Sequence, residues 1–416
     1  MVLNTPFTLI RTLGKNYIKK QDRVPQKQVE AILQPIKTFN RTVQAPPNVV
    51  ILIVESLGRE YIGSFNKKMG IKNYESFTPF IDSLSQSSLI FPNAFANGRK
   101  SIHAMSSIIA GIPSFKVAYT SSPFSNQDTQ SIVSVLNDMN YDTSFFHGAP
   151  NGSMGFLGFG NILGFDHYYG KTEYNNEADF DGLWGIWDKP FLQYVNKELA
   201  QKKEPFMATV FTLTSHSPYV IPDTAEGKYP EGYKPIHKCI GYTDDALRTF
   251  FNEAKKQAWF DNTIFVITGD HTNQVHYQTY YKLLNRFAVP ILIYKPNSNL
   301  VKENYNLAQQ IDIYPTLTDL VGYKKPIRSW GRSLVNDTIV TPYALTHNGS
   351  IYQLQQGKYT LTSDGSKSLG IFDIDDRNLE KPLNVKPSLR DHLEIKTNSF
   401  IQDYMNRIID KKLKAN

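Results

Sequence analysis

The sequence predicts an α/β fold: a doubly wound, mostly parallel sheet flanked by helices, with a small C-terminal antiparallel sheet and a closing helix. Three patterns lead there. Asn48 to Val54 (NVVILIV) is an unbroken, β-branched apolar run, which suits a strand buried on both faces of a parallel sheet. Similar short runs recur at 88–91, 143–147, 207–213, 263–268 and 290–294, alternating with helix-period stretches at 78–86, 101–110, 130–139, 189–200, 240–256 and 307–321. After about Pro342 the chain changes to short alternating strands split by Gly-containing turns (YALTHNG, SIYQLQQG, KYTLTSDG, KSLGIFDID), and residues 388–413 read as a charged helix behind Pro387.

These elements divide the chain into a basic N-terminal arm (1–46), an α/β core (47–340) and a C-terminal antiparallel subdomain with the terminal helix (341–416). The arm ends at Ala45-Pro46-Pro47, a stiff break before the first strong strand. Arg11, Lys15, Lys19, Lys20, Arg23 and Lys27 crowd its first thirty residues and account for much of the net charge of +7. Such a segment suits a nucleic-acid tail, a juxtamembrane stretch near anionic headgroups, or a solvated amphipathic helix.

With 41% hydrophobic and 20% charged residues the 416-residue chain is globular, which excludes disordered and fibrous classes. Cys239 is its one cysteine, so an internal disulfide and a multi-cysteine zinc site are excluded. No apolar run reaches eighteen residues, and Met1 to Ile10 is too short for a signal peptide.

In open α/β sheets ligands sit beyond the carboxyl ends of the strands, so polar residues just after buried runs are the first candidates. Glu55 ends NVVILIVES, His216 follows FTLTSHSPY, and Asp270-His271 end TIFVITGDH. Glu55 reads equally as a helix-capping carboxylate and as a ligand. Asp270-His271 offers oxygen and imidazole donors to a divalent ion, or a carboxylate capping the next turn beside a satisfied histidine. Ser101 opens a helix after Asn97-Gly98-Arg99-Lys100, either as an N-cap or as a nucleophile whose anionic ester would gain from helix N–H groups, Arg99 and Lys100. His103, His147, His276 and His347 are further candidates for the cleft. Trp184, Trp187 and Asp188 form an aromatic turn expected to pack in the core, with stacking on a sugar or headgroup as the alternative.

The order NVVILIVESLG, NGRKSIHAMSSIIAGIP, FTLTSHSPY, ITGDHT and IDIYPTLTDLVG resembles the catalytic domain of lipoteichoic acid synthases and related phosphoglycerol transferases, within the alkaline phosphatase/sulfatase superfamily. The resemblance spans about Asn48 to Ser333. It implies one divalent metal, usually manganese with Mg or Zn as alternatives, held by Glu55, Ser101, Asp270 and His271, with Ser101 as nucleophile where those enzymes carry Thr. It makes His216 a substrate-facing histidine or leaving-group acid, supported by Arg99 and Lys100. It further implies a phospholipid headgroup donor, a glycan or lipid acceptor, no nucleic acid and no obligate protein partner. The setting it implies is the outer face of a bacterial membrane, with a tether upstream of this chain.

Two departures stand out. After Phe146-His147-Gly148 the synthases place a Trp and an Arg against glycerol phosphate, whereas this chain reads APNGSMGF. The sulfatase maturation signature C/S-x-P/A-x-R is broken, since Ser101-Ile102-His103-Ala104-Met105 ends in Met. The expected activity is therefore transfer of a phosphoglycerol- or phosphoethanolamine-type group through a phosphoseryl intermediate. The alternatives are a phosphodiesterase or sulfate-ester hydrolase, and a non-catalytic binding domain of the same fold.

Overall fold

The computed structural model describes residues 18–336 and 341–415, so Arg11 and Lys15 of the basic arm lie outside the described residues. Its main sheet is built from β1 (Asn48–Val54), β2 (Leu89–Ile90), β3 (Asp142–His147), β4 (His167–Tyr169), β5 (Phe206–Phe211), β6 (Thr263–Gly269), β7 (Ile291–Tyr294) and β8 (Lys302–Glu303). Their order across the sheet is β8-β2-β7-β6-β1-β5-β3-β4.

Every residue of β1 is buried, and its side chains leave alternately on two faces. Val49, Ile51 and Ile53 join one apolar cluster, while Val50, Leu52 and Val54 join another. The first cluster is closed by α3 (Ser101–Ala110), α4 (Ile132–Asn137) and α8 (Ile313–Leu320), with α1 (Gln26–Leu33) and α9 (Pro387–Asp410) outside them. The second is closed by α2 (Pro79–Ser85), α6 (Asp188–Leu199) and α7 (Ile236–Ala254). A strand covered on both faces has no position where a polar side chain meets water, which is why NVVILIV is unbroken. Each such side chain contributes about 1.5–3 kcal/mol by leaving water.

From β6 through β4 the strands run parallel. β7 lies antiparallel between β6 and β2, so the sheet is mixed at that edge. Helix α5 (Phe156–Leu163) was not expected, because FLGFGNIL carries two glycines and lacks a polar face to reveal a helical period. The stretch 307–321 opens with a short strand and a 3₁₀ turn, and only 313–320 is α-helical. Pro315 fits there because the first turn of a helix needs no intrahelical N–H donors.

At the C-terminus β9 (Tyr343–His347), β10 (Tyr352–Gln356), β11 (Tyr359–Ser363) and β12 (Ser368–Asp373) form an antiparallel meander. Helix α9 then crosses back to the N-terminal segment. Gln402 accepts the Arg23 and Val24 backbone N–H groups at 2.6 and 3.0 Å and donates to the Val24 carbonyl at 2.7 Å. Ile36–Lys37 pairs with Ile327–Arg328. Residues 18–46 are thereby held against the body of the fold. Among the described residues no helix is long and apolar enough to cross a membrane.

Candidate active site

Parallel register brings the first candidate ligands together. Val54 pairs with Gly269 at the ends of β1 and β6, so Glu55 and Asp270 emerge side by side. That approach needs a glycine, since a Cβ on Gly269 would lie 2.0 Å from the Leu57 carbonyl oxygen. Helix α3 delivers Ser101 to the same point. Its apolar face (Ala104, Met105, Ile108, Ile109) packs in the core, and its first turn points at the strand ends.

The Ser101 hydroxyl donates to Glu55 Oε2 at 3.0 Å and lies 3.4 Å from His271 Nε2. Ser101 is the first helical residue rather than the cap, a position taken by Lys100, and no side chain caps this helix. The N-cap reading of Ser101 is thus replaced by a hydroxyl aimed into a cluster of ligand-type groups. Glu55, Asp270 and His271 each present one ligand atom, all within 4.8 Å of one another. Glu55 and Asp270 are each 1% exposed and Ser101 6%.

These groups fit a divalent cation. Asp270 Oδ1 accepts the backbone N–H of Ser56 at 2.6 Å and of His271 at 2.7 Å, whereas Oδ2 is buried without a hydrogen-bond partner. One oxygen thus caps the turn, and the other is left over beside Glu55 and His271. His271 Nδ1 lies 2.8 Å from the Thr272 carbonyl, which keeps the proton on Nδ1 and leaves the Nε2 lone pair toward the carboxylates. Two carboxylate oxygens, one imidazole nitrogen and a hydroxyl are a donor set suited to Mn, Mg or Zn.

Residues without a strand-end signal hold this set in place. Ser56 donates to Glu55 Oε1 at 2.6 Å and accepts from Asn273 Nδ2 at 2.9 Å, with a left-handed backbone (φ 56°) unusual for serine. Asn273 in turn accepts from the Tyr219 hydroxyl at 3.1 Å. Gln310 Nε2 donates to the Gly269 and Asp270 carbonyls at 2.8 Å each, and its oxygen accepts from the Asn97 N–H at 3.0 Å. Gln310 therefore ties the loop before Ser101 to the end of β6. Polar residues in loops carry no periodic signal, so these partners could not be singled out from the sequence.

Burial and the Glu55 charge push the Asp270 carboxyl up to about 8 in the metal-free protein. Burial alone would lower the His271 imidazole, but the adjacent Asp270 and Glu55 carboxylates outweigh it and hold His271 above its ordinary value. Both shifts describe negative charge gathered in a dry site that a cation would neutralise.

Arg99 and Lys100 are exposed at the start of α3. Burial and the nearby Arg286 guanidinium lower Arg99, which places a second arginine beside it. His103 packs under this turn, with Nδ1 accepting the Arg99 N–H at 3.2 Å, and burial with the charges of Lys100 and His271 brings it down to about 4. His216 packs against Trp184 with tilted rings (centroids 4.0 Å apart, planes 49° apart), and the Trp184 indole donates to the Ser217 carbonyl at 2.6 Å. Trp184 is 40% exposed, so its expected core packing is corrected. Gly182 and Gly185 flank a turn that lifts the ring out of the core, and three backbone N–H groups bind Asp181 Oδ1 there. His147 is fully buried with neither ring nitrogen partnered, and burial drives it to about 3. His276 stacks on Tyr233, and His347 packs against Tyr352 in the core.

The mixed sheet, its helical layers and the C-terminal meander are the architecture of the alkaline phosphatase superfamily. A protein of that superfamily from Vibrio parahaemolyticus superposes with a TM-score of 0.80 at 26% identity, over 94% of this chain and 97% of that one. The lipoteichoic acid synthase LtaP from Listeria monocytogenes does so with a TM-score of 0.76 at 18% identity, over 94% and 100%. Residues 47–323 match the sequence model of the Sulfatase family, and the chain belongs to that family. It is also similar to lipoteichoic acid synthase 1 of Bacillus subtilis (strain 168), 24% identical over 465 aligned positions, covering 95% of this chain and 70% of that protein. With the lipoteichoic acid synthase of Staphylococcus saprophyticus it shares 26% identity over 335 positions, 70% of this chain and 49% of that protein. The chain thus spans from about half to seven tenths of the length of these two relatives.

Proposed function

We propose that this chain transfers a phosphoglycerol- or phosphoethanolamine-type group from a phospholipid donor to a glycan or lipid acceptor. The observation that carries the reading is the Ser101 hydroxyl, 3.0 Å from Glu55 and 3.4 Å from His271 at the start of a helix. Phosphorus is favoured over sulfur because Met105, where the sulfatase signature has Arg, is fully buried in the core. Similarity to lipoteichoic acid synthases supports the transferase reading.

Glu55, Asp270, His271 and Ser101 would hold one divalent cation, Mn in the first instance, which supplies charge that lowers the pKa of the serine hydroxyl and neutralises phosphoryl oxygens. Ser101 Oγ, its proton passing to solvent, attacks phosphorus in line as the bond from phosphorus to the lipid oxygen breaks, and the lipid alkoxide leaves with a proton that His216 can supply. Arg99, Lys100 and the N–H groups of the first turn of α3 bind the non-bridging oxygens. An acceptor hydroxyl then displaces Ser101 from the phosphoseryl diester. A lipid donor puts this chemistry at a membrane surface, on the extracytoplasmic side as in the resemblance, with 47–340 as the catalytic unit and the basic arm toward the headgroups.

The test is intact-mass analysis after incubation with manganese and phosphatidylglycerol or phosphatidylethanolamine, with Ser101→Ala alongside. An adduct of glycerophosphoryl or phosphoethanolamine mass, absent from the variant, is expected and names the donor. Ser101-dependent release of sulfate or phosphate from aryl esters without any lipid-derived adduct would make the protein a hydrolase instead.

A further inference from the structure

A cleft of about 980 Å³ opens beside the segment that follows the His216 loop. Its size suits one or two sugar rings. One wall is the segment from Val220 to Ala225, and the others come from the turn around Trp187 and from α7. Trp187 and Tyr229 are half-buried and close on Tyr242, ring centroids 6.5 and 5.8 Å away, so aromatic surface lines the cleft. Among the described residues the Trp187 indole N–H and the Lys228 ammonium have no partner, and Asp223 is exposed at the rim.

The charges discriminate between ligands. Asp179, Asp181, Asp223 and Asp245 line the cleft against Lys189 and Lys228; Lys189 (2.8 Å) and Arg248 both bind Asp245 already, so the excess negative charge comes from Asp179, Asp181 and Asp223. An excess of carboxylates repels polyanions and anionic headgroups, while carboxylates between aromatic faces suit a neutral, hydroxyl-rich ring. A fatty acyl chain would leave these polar groups desolvated without partners.

The cleft also communicates with the reaction centre. The Tyr219 ring packs against the apolar cluster of Ile221, Ala225, Cys239 and Tyr242, which includes three of the residues that line the cleft. Its hydroxyl donates to Asn273, Asn273 donates to Ser56, and Ser56 donates to Glu55. Tyr219 therefore links the apolar cluster behind the cleft wall to the residues that position the candidate metal ligands.

We propose that this cleft is a glycan subsite that holds a neutral sugar unit of the acceptor, an assignment of role that rests on the transferase reading above. The aromatic faces of Trp187 and Tyr229 stack the ring, and the carboxylates with the free indole N–H and Lys228 bind its hydroxyls. The probes are maltose, cellobiose and lactose, followed by saturation-transfer NMR and calorimetric titration, with glycerol 3-phosphate as the anionic comparison. Saturable binding of at least one disaccharide at about 1 mM or tighter is expected. It should weaken at least about tenfold in Trp187→Ala, since an aromatic anchor covered by its ligand dominates small interfaces. The exposed pair Asp223→Ala/Lys228→Ala, which leaves the core untouched, should weaken it severalfold. Absence of saturable disaccharide binding, binding indifferent to both variants, or preferential binding of glycerol 3-phosphate in this cleft overturns the proposal. On the wild-type protein the bound disaccharide should also speed loss of the Ser101 adduct, saturating at the concentration that saturates binding. An adduct that forms while no disaccharide binds removes the subsite alone. Disaccharide binding with no adduct from either lipid removes the transferase reading and leaves the glycan site standing.

Discussion

Replacing Asp270 by Asn should change stability in opposite directions with and without a divalent cation. In the metal-free protein two buried carboxylates present oxygens within 4.8 Å of each other, a repulsion of about 3 kcal/mol at an effective dielectric constant of about 20. Burial and that repulsion raise the Asp270 carboxyl to about 8, far above its ordinary 3.8. An acid raised on folding favours the folded state below its unfolded pKa, and that contribution is lost as pH rises through about 8. The amide that Asp270→Asn introduces would keep an oxygen to accept the Ser56 and His271 N–H groups, and would put a donor where Oδ2 lacks one. Without cation, at mildly alkaline pH, Asp270→Asn should therefore be more stable by about 1–3 kcal/mol. With manganese at about 100 times its dissociation constant the wild-type protein should gain about 2.7 kcal/mol, and the variant little of it. Thermal unfolding with EDTA, Mn, Mg and Zn reads both effects as shifts in Tm. A wild-type Tm indifferent to all three cations, or a variant that responds as the wild type does, would refute the reasoning.

Ser56→Ala removes the hydroxyl that holds Glu55 and takes the Asn273 hydrogen bond, so cation affinity measured by calorimetry should fall about 10- to 100-fold with the fold intact. Glu60 accepts the His276 and Tyr277 N–H groups on one oxygen, yet burial raises its carboxyl to about 7 from 4.5, against those two hydrogen bonds. Its charge therefore costs stability increasingly as pH rises from about 4.5 through 7, and urea titrations should show Glu60→Gln gaining about 2 kcal/mol on the wild type between about pH 5 and 8. A gain that does not change with pH would count against that account. Asp403, 1% exposed, pairs with Arg328 at 2.5 Å and accepts from the Trp330 indole at 2.9 Å, joining α9 to the core. Asp403→Ala leaves Arg328 buried and unpaired and should cost about 3–5 kcal/mol in chemical unfolding, whereas replacing both partners by apolar residues should cost much less.

Much of the candidate site was legible because a strand covered on both faces leaves a one-dimensional trace. NVVILIV and TIFVITG announce β1 and β6, and ligands in such sheets lie just past the carboxyl ends, so position alone made Glu55 and Asp270-His271 candidates, each with a capping role as the alternative. Ser101 was legible as the start of a helix, but whether its hydroxyl caps that helix or faces Glu55 depends on where α3 lands. Trp184 and Trp187 look alike in sequence. The turn built on Asp181 sends one ring out over His216 and the other into the wall of the cleft. The antiparallel course of β7 was also hidden, since an apolar run has no direction.

By itself, then, the sequence determined the layered α/β class, the run of central strands and the types of residue at their ends, all consequences of apolar burial along the chain. Only the tertiary structure decided the parallel register that sets Val54 opposite Gly269, the shell of Ser56, Asn273 and Gln310 around the ligands, and the aromatic cleft behind the His216 loop. Those depend on contacts between segments far apart in the sequence, and single loop residues carry no local trace of the partner they will meet.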